Sequence, residues 1–92
     1  MIEIYNWALM NYDGNYSDLR DNEIRLSGIV YQDERFEPGS FIISSKIISS
    51  SGRSIVTESG SHYYLIGKPE GSWLLHCGDK GIIINIDNPV EI

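Results

Sequence analysis

The chain predicts a mostly β fold: a small antiparallel β-barrel or curled sheet of five to six strands with one short helix near residues 70–77. Three observations lead there. Short runs rich in β-branched and aromatic residues recur along the chain. Clusters of Gly, Pro, Asn, Asp and Ser separate them at short intervals. One segment alone, "EGSWLLHCG", is bounded by turn signals and suits a helix. Its 92 residues make a single domain, 1–92, with a thin core and little room for a deep cleft as well.

The elements follow in order. "IEIYNWALM" predicts a strand over 3–10, with Tyr5, Trp7 and Leu9 on one face and Ile4, Ala8 and Met10 on the other. "DGNYSDLRDN" is a loop. "EIRLSGIVYQ" is a half-buried strand whose interior glycine, Gly28, marks a bulge or sharp coil, with a slip of phase into Ile29, Val30 and Tyr31. "DERFEPGS" is a charged turn. "SFIISSKII", "RSIVTE" and "SHYYLIG" form a three-strand meander with tips at Ser51-Gly52 and Ser59-Gly60. Those tips place Ile48, Ile55 and Tyr64 in one cross-strand row, and Ile47, Val56 and Tyr63 in the next. Ser72 is a candidate N-cap and Gly78 the candidate residue after the helix. "IIINI" predicts a final strand and "DNPVEI" a tail. The pattern leaves SH3-like and oligonucleotide-binding-like (OB-like) topologies both open.

Composition bounds function more by exclusion. Thirteen acidic residues against seven basic ones give a formal charge of −6. Eight of the acids, with three bases, lie before Pro38. Direct nucleic-acid binding is not expected, because phosphate neutralisation needs Lys and Arg. The charge suits solubility, or steering toward a basic protein surface. The single cysteine, Cys77, excludes an intrachain disulfide and a four-cysteine zinc site. No charged and apolar leader opens the sequence and no apolar run reaches membrane-spanning length, so a cytoplasmic setting without membrane association is expected.

Candidate chemistry is sparse. "SGRS" and "SGS" lack the lysine and downstream helix of a phosphate loop. His76, Cys77, His62 and Asp79 have no ligand spacing, since neighbours on a helix point about 100° apart. "NYDGNYSDLRDN" has Tyr16 and Asn22 where a calcium loop needs glycine and glutamate. No nucleophile elbow is present. Catalytic, metal and cofactor sites are therefore expected to be absent, and the chain is not expected to be an enzyme. Tyr12, Asp13, Tyr16, Asp18 and Asp21 interleave tyrosine with acid, a composition suited to protein contact, and Asp33 and Glu34 would add steering charge.

The stretch "LSGIVYQDERFEPGSFIISSKIISSSGRSIVTESGSHYYLIGKP", Leu26 to Pro69, resembles a pattern in small uncharacterised proteins encoded by phages and prophages. The shared pattern is the "RF-x-x-G" turn and "GR-x-x-V-T-x-S-G-S-x-Y-x-L-x-G-x-P". The resemblance carries no catalytic motif. It implies a mobile genetic element, and with it a protein-binding inhibitor of a host defence or nucleic-acid-processing protein. The alternative is a structural or self-assembling role, which leaves homo-oligomerisation open.

Overall fold

The computed structural model describes residues 1–90. Five strands form a closed barrel in chain order: β1 (Ile2–Met10), β2 (Arg25–Val30), β3 (Ser40–Ser51), β4 (Ser54–Thr57) and β5 (His62–Ile66). One helix, α1 (Gly71–Asp79), follows. The order is that of a meander rather than a Greek key. Successive strands alternate in direction, so the first and fifth of an odd-numbered ring must run the same way. The barrel accordingly has four antiparallel junctions and one parallel seam, where Ile2 to Tyr5 pair with Tyr63 to Ile66. Closure removes the free edges that an open sheet of this size would expose.

Bulges bend the strands into the ring. On β1, Asn6 and Trp7 together oppose the single residue Gly28, and Asn6 takes φ 48°. This reverses the expected alternation on β1. Ile4, Trp7 and Leu9 all pack in the core, while Tyr5 lies outside. The expected slip on β2 does not occur: Leu26, Gly28 and Val30 keep a strict two-residue period. The glycine serves its neighbour instead. A Cβ at position 28 would come within 2.7 Å of Ile4 Cγ1 and 2.8 Å of the Tyr5 carbonyl. On β3, Ser44 and Ser45 oppose Leu26. The Ser44 hydroxyl accepts from the Leu26 N–H at 2.9 Å, replacing the ladder bond lost at that bulge.

The meander is present, but its register differs from the expected one. Ser51 pairs with Ser54 across a two-residue turn, Gly52-Arg53, with Gly52 at φ 59°. The second tip is a three-residue loop, with Thr57 N–H donating to the Ser61 carbonyl and Gly60 at φ 88°. Ile55 therefore pairs with Ser50 and Tyr63, and Val56 with Ser49 and His62. Ile47, Ile55 and Tyr63 are buried together, whereas Ile48 and Tyr64 face out. The displacement arises because each glycine sits where its turn needs a positive φ. That is the first loop position at one tip and the last at the other.

The helix begins at Gly71, not with a Ser72 cap, and Glu70 at its N-cap makes no side-chain cap bond. It ends on Gly81 rather than Gly78. Ile82 N–H reaches the Cys77 carbonyl at 2.9 Å, and Gly81 N–H, at φ 73°, reaches the Gly78 carbonyl at 3.0 Å. This crossed pair is a Schellman motif. Trp73 and Cys77 pack against the barrel core, with Trp73 tilted against Trp7 at 5.8 Å. The expected final strand at "IIINI" is not formed. Ile82, Ile84 and Ile86 lie half-buried along the core in irregular chain, and Ile83 is 96 % exposed. A closed ring offers no edge for a sixth strand to join. The tail is instead anchored by buried Val90, whose carbonyl accepts from Ser50 Oγ at 2.6 Å.

Candidate partner-binding face

Strand pairing builds one continuous row outside the barrel. Ile66 pairs with Tyr5, Tyr5 with Ile29, and Ile29 with Phe41. The row thus crosses β5, β1, β2 and β3. Phe41 is 58 % exposed, and Ile43, two residues along the same outer face, is 45 % exposed. Tyr31, 52 % exposed, meets the Tyr5 ring edge-on at 5.4 Å. None of these side chains is needed inside. The interior is filled by Ile4, Leu9, Leu26, Val30, Ile55 and Leu65, all buried. The barrel thus carries an apolar row on its outer face in addition to its own filled core.

The loop from Tyr31 to Gly39 is set by an ion pair. Arg35 donates from Nη2 to Asp33 Oδ2 at 2.7 Å and from Nε to Asp33 Oδ1 at 3.0 Å. It also reaches Tyr63 Oη at 3.2 Å and Ser61 Oγ at 3.1 Å, tying the loop to β5 and the loop before it. These bonds hold the Asp33 carboxyl below the usual carboxylate range, against the opposing effect of burial. Asp33 is buried and paired, so it organises the loop and projects little steering charge. Glu34 stays exposed, as does Glu37. Arg35 lies over the Phe36 ring at 5.4 Å.

The predicted loop from Tyr12 to Asp21 is folded onto the barrel rather than loosely solvated. Asn11 Oδ1 accepts from the N–H groups of Asp13 and Asn15, each at 3.0 Å. Tyr16 bridges back to Met10. Buried Ser17 is a hub that no sequence signal singled out. Its carbonyl accepts from Trp73 Nε1 at 2.8 Å, and its hydroxyl donates to Asp21 at 2.8 Å. Cys77 also lies against that carbonyl, and burial pushes its thiol pKa up, away from reactivity. Asp18 is bonded to Arg20, which lowers its carboxyl pKa. Tyr12 is exposed beneath the Arg25 guanidinium, and Asp13 is exposed at the turn. The Tyr16 hydroxyl donates to Glu70, and that bond raises its pKa.

The predicted contact residues, Tyr12 to Asp21, and the predicted steering residues, Asp33 and Glu34, lie on loops at opposite ends of β2. Tyr12 to Asp21 precede β2, and Asp33 and Glu34 follow it, so a strand of six residues separates them. That is about 20 Å of extended chain. The apolar row runs between the two groups, and Tyr16 meets it across a cleft shared with Phe41. Sequence reasoning missed Tyr5, Ile29, Tyr31, Phe41 and Ile43. The available signal was consecutive apolar residues in "GIVY" and "SFII", which cannot all face one core.

Among the described residues, no three His, Cys, Asp or Glu side chains converge as a metal site, and no helix is long and apolar enough to cross a membrane. Comparison with protein-family models, with curated proteins and with solved structures gives no match.

Proposed function

We propose that this protein is a non-enzymatic binding module that docks a protein partner on the outer row Ile66–Tyr5–Ile29–Phe41. The observation that carries the reading is the placement of that row outside a barrel whose interior is already packed with the chain's own side chains. Carboxylates border the face. Glu3 shares a hollow with Tyr5 and Tyr31, Glu34 lies beside Tyr31 and Phe36, and Glu70 lies beside Phe41. With a net charge of −6, the fitting partner surface is apolar at its centre and basic at its rim. A basic surface is one that proteins handling nucleic acid carry. Together with the phage-like pattern of Leu26–Pro69, this favours an inhibitor of a host defence or nucleic-acid-processing protein, acting in the cytoplasm.

Self-assembly is the second reading, because an apolar face also suits another copy. The acidic rim opposes it, since association would crowd the carboxylates of Glu3 and Glu34 of each copy near those of the other, and like charges repel. Affinity capture from the native host, read by mass spectrometry, tests the proposal. A partner held by the wild type and by Ile48→Ser, but released by Phe41→Ser and Ile29→Ser, is the expected result. Retention by all four proteins would place the interface elsewhere. A stable dimer in sedimentation at low salt, lost in Phe41→Ser, would favour self-assembly.

A further inference from the structure

Beside Phe41 the outer face opens into a cleft of about 210 Å³, lined by Met10, Asn15, Tyr16, Ser27, Phe41 and Glu70. It is smaller than the roughly 300–1,000 Å³ of small-molecule sites and matches a single long side chain. Two aromatic residues and a thioether provide apolar contact. The Tyr16 hydroxyl occupies one Glu70 oxygen, Oε1. Among the described residues no Lys, Arg or His pairs with that carboxylate, as is true of several other acids, but Glu70 is the one that lines this cleft. An acid left without a cation beside aromatic side chains is complementary to a cation on an apolar stem.

We infer that this cleft receives an arginine side chain of the protein partner, its stem along Met10 and Phe41 and its guanidinium on the Glu70 oxygen that the Tyr16 hydroxyl leaves free. The inference rests on the reading of the outer row as a docking face and names the chemistry that would anchor there. Arginine fits better than lysine. Its planar cation stacks on aromatic rings and is more weakly hydrated than an ammonium, so an aromatic-walled cleft desolvates it at lower cost. It also keeps several donors for Glu70 and the Asn15 side chain at once.

The test needs no partner. The ¹⁵N-labelled protein is titrated with N-acetyl-arginine methylamide, with the neutral citrulline analogue and the lysine analogue as comparisons. Saturable shifts at Asn15, Tyr16, Ser27, Phe41 and Glu70 are expected, with Kd on the order of 1 mM for a ligand of this size. The citrulline compound should bind at least about tenfold more weakly, and Glu70→Gln should weaken the arginine compound by a similar factor. Phe41→Ala provides a second variant, since that ring is largely in solvent and its removal leaves the core intact. Equal binding of the citrulline compound, shifts centred elsewhere on the acidic surface, or unchanged affinity in a folded variant would overturn the assignment. Lysine binding as tight as arginine would overturn the choice of arginine. A partner lost in Ile29→Ser while the titration fails would sink the arginine pocket alone. A successful titration with capture unaffected by Ile29→Ser would sink the docking face.

Discussion

Gly28 shows how a single residue is constrained by the strand beside it. Its absent side chain admits the bulge of Asn6 and Trp7, and a Cβ there would overlap Ile4 and the Tyr5 carbonyl. We expect Gly28→Ala to destabilise the fold by about 2 kcal/mol or more, read by urea unfolding, because backbone cannot yield as a side chain tip can. Asp33 is the second case. Its folded-state pKa is depressed by Arg35. The stability it contributes is therefore present above its unfolded value of about 3.9 and lost as pH falls through the folded value. Asp33→Asn should cost about 1–2 kcal/mol at neutral pH. The gap from wild type should close as the medium is acidified through the depressed folded-state pKa of Asp33, below the usual carboxylate range. A gap independent of pH would mean that the charge at Asp33 is irrelevant and only its packing matters.

Elements here are stabilised at their ends. The Schellman stop of α1 requires a positive φ at Gly81. Gly81→Ala should cost about 1 kcal/mol in thermal or urea unfolding, because a Cβ is strained in that conformation. The tail has no ladder and is held by its half-buried isoleucines, by the Arg53–Asp87 pair and, at its end, by buried Val90 and its bond to Ser50. Val90→Asp should release it and cost roughly 2–3 kcal/mol, the burial of one aliphatic side chain and more. Faster hydrogen exchange at Asp87 and Asn88, whose N–H groups donate to Asn85, without change on β1 and β2, would identify local release. Global loss of protection would instead mean that the tail is part of the cooperative unit.

At the scale of the molecule, charge and apolar area act on different steps of binding. Eight of thirteen acids precede Pro38, but Asp18 and Asp33 are taken up by Arg20 and Arg35. The field available for steering comes chiefly from Glu3, Asp13, Asp21, Glu34 and Glu37, which have no cationic partner among the described residues. Reversing Asp13 and Glu34 to lysine should slow association, with the effect shrinking as salt rises, and leave dissociation and circular dichroism nearly unchanged. Truncating Phe41 or Ile29 should instead speed dissociation, by about tenfold or more for a central anchor. Charge reversals that change only dissociation would contradict this division.

Strand positions, the meander, the short helix and the acidic bias were legible in the amino-acid order, because they rest on local propensity, turn chemistry and composition. Other features were decided by tertiary structure. The five-strand meander alternates direction, so closure placed β5 parallel to β1, and closure left "IIINI" no edge to pair with despite its strand-like composition. The β1 bulge set which of Tyr5 and Trp7 faces the core, a choice that a two-residue period states wrongly once one residue is extra. Turn geometry moved Ile55 from Ile48 to Ser50, because backbone φ rather than side-chain preference selects the tip. The outer row was hidden for the same reason. Ile66, Tyr5, Ile29 and Phe41 lie far apart in the chain, and only the pairing of four strands brings them side by side. Local sequence determines which segments are strands and where the chain turns. Which apolar residues remain outside follows from register and closure, and these depend on contacts between distant residues.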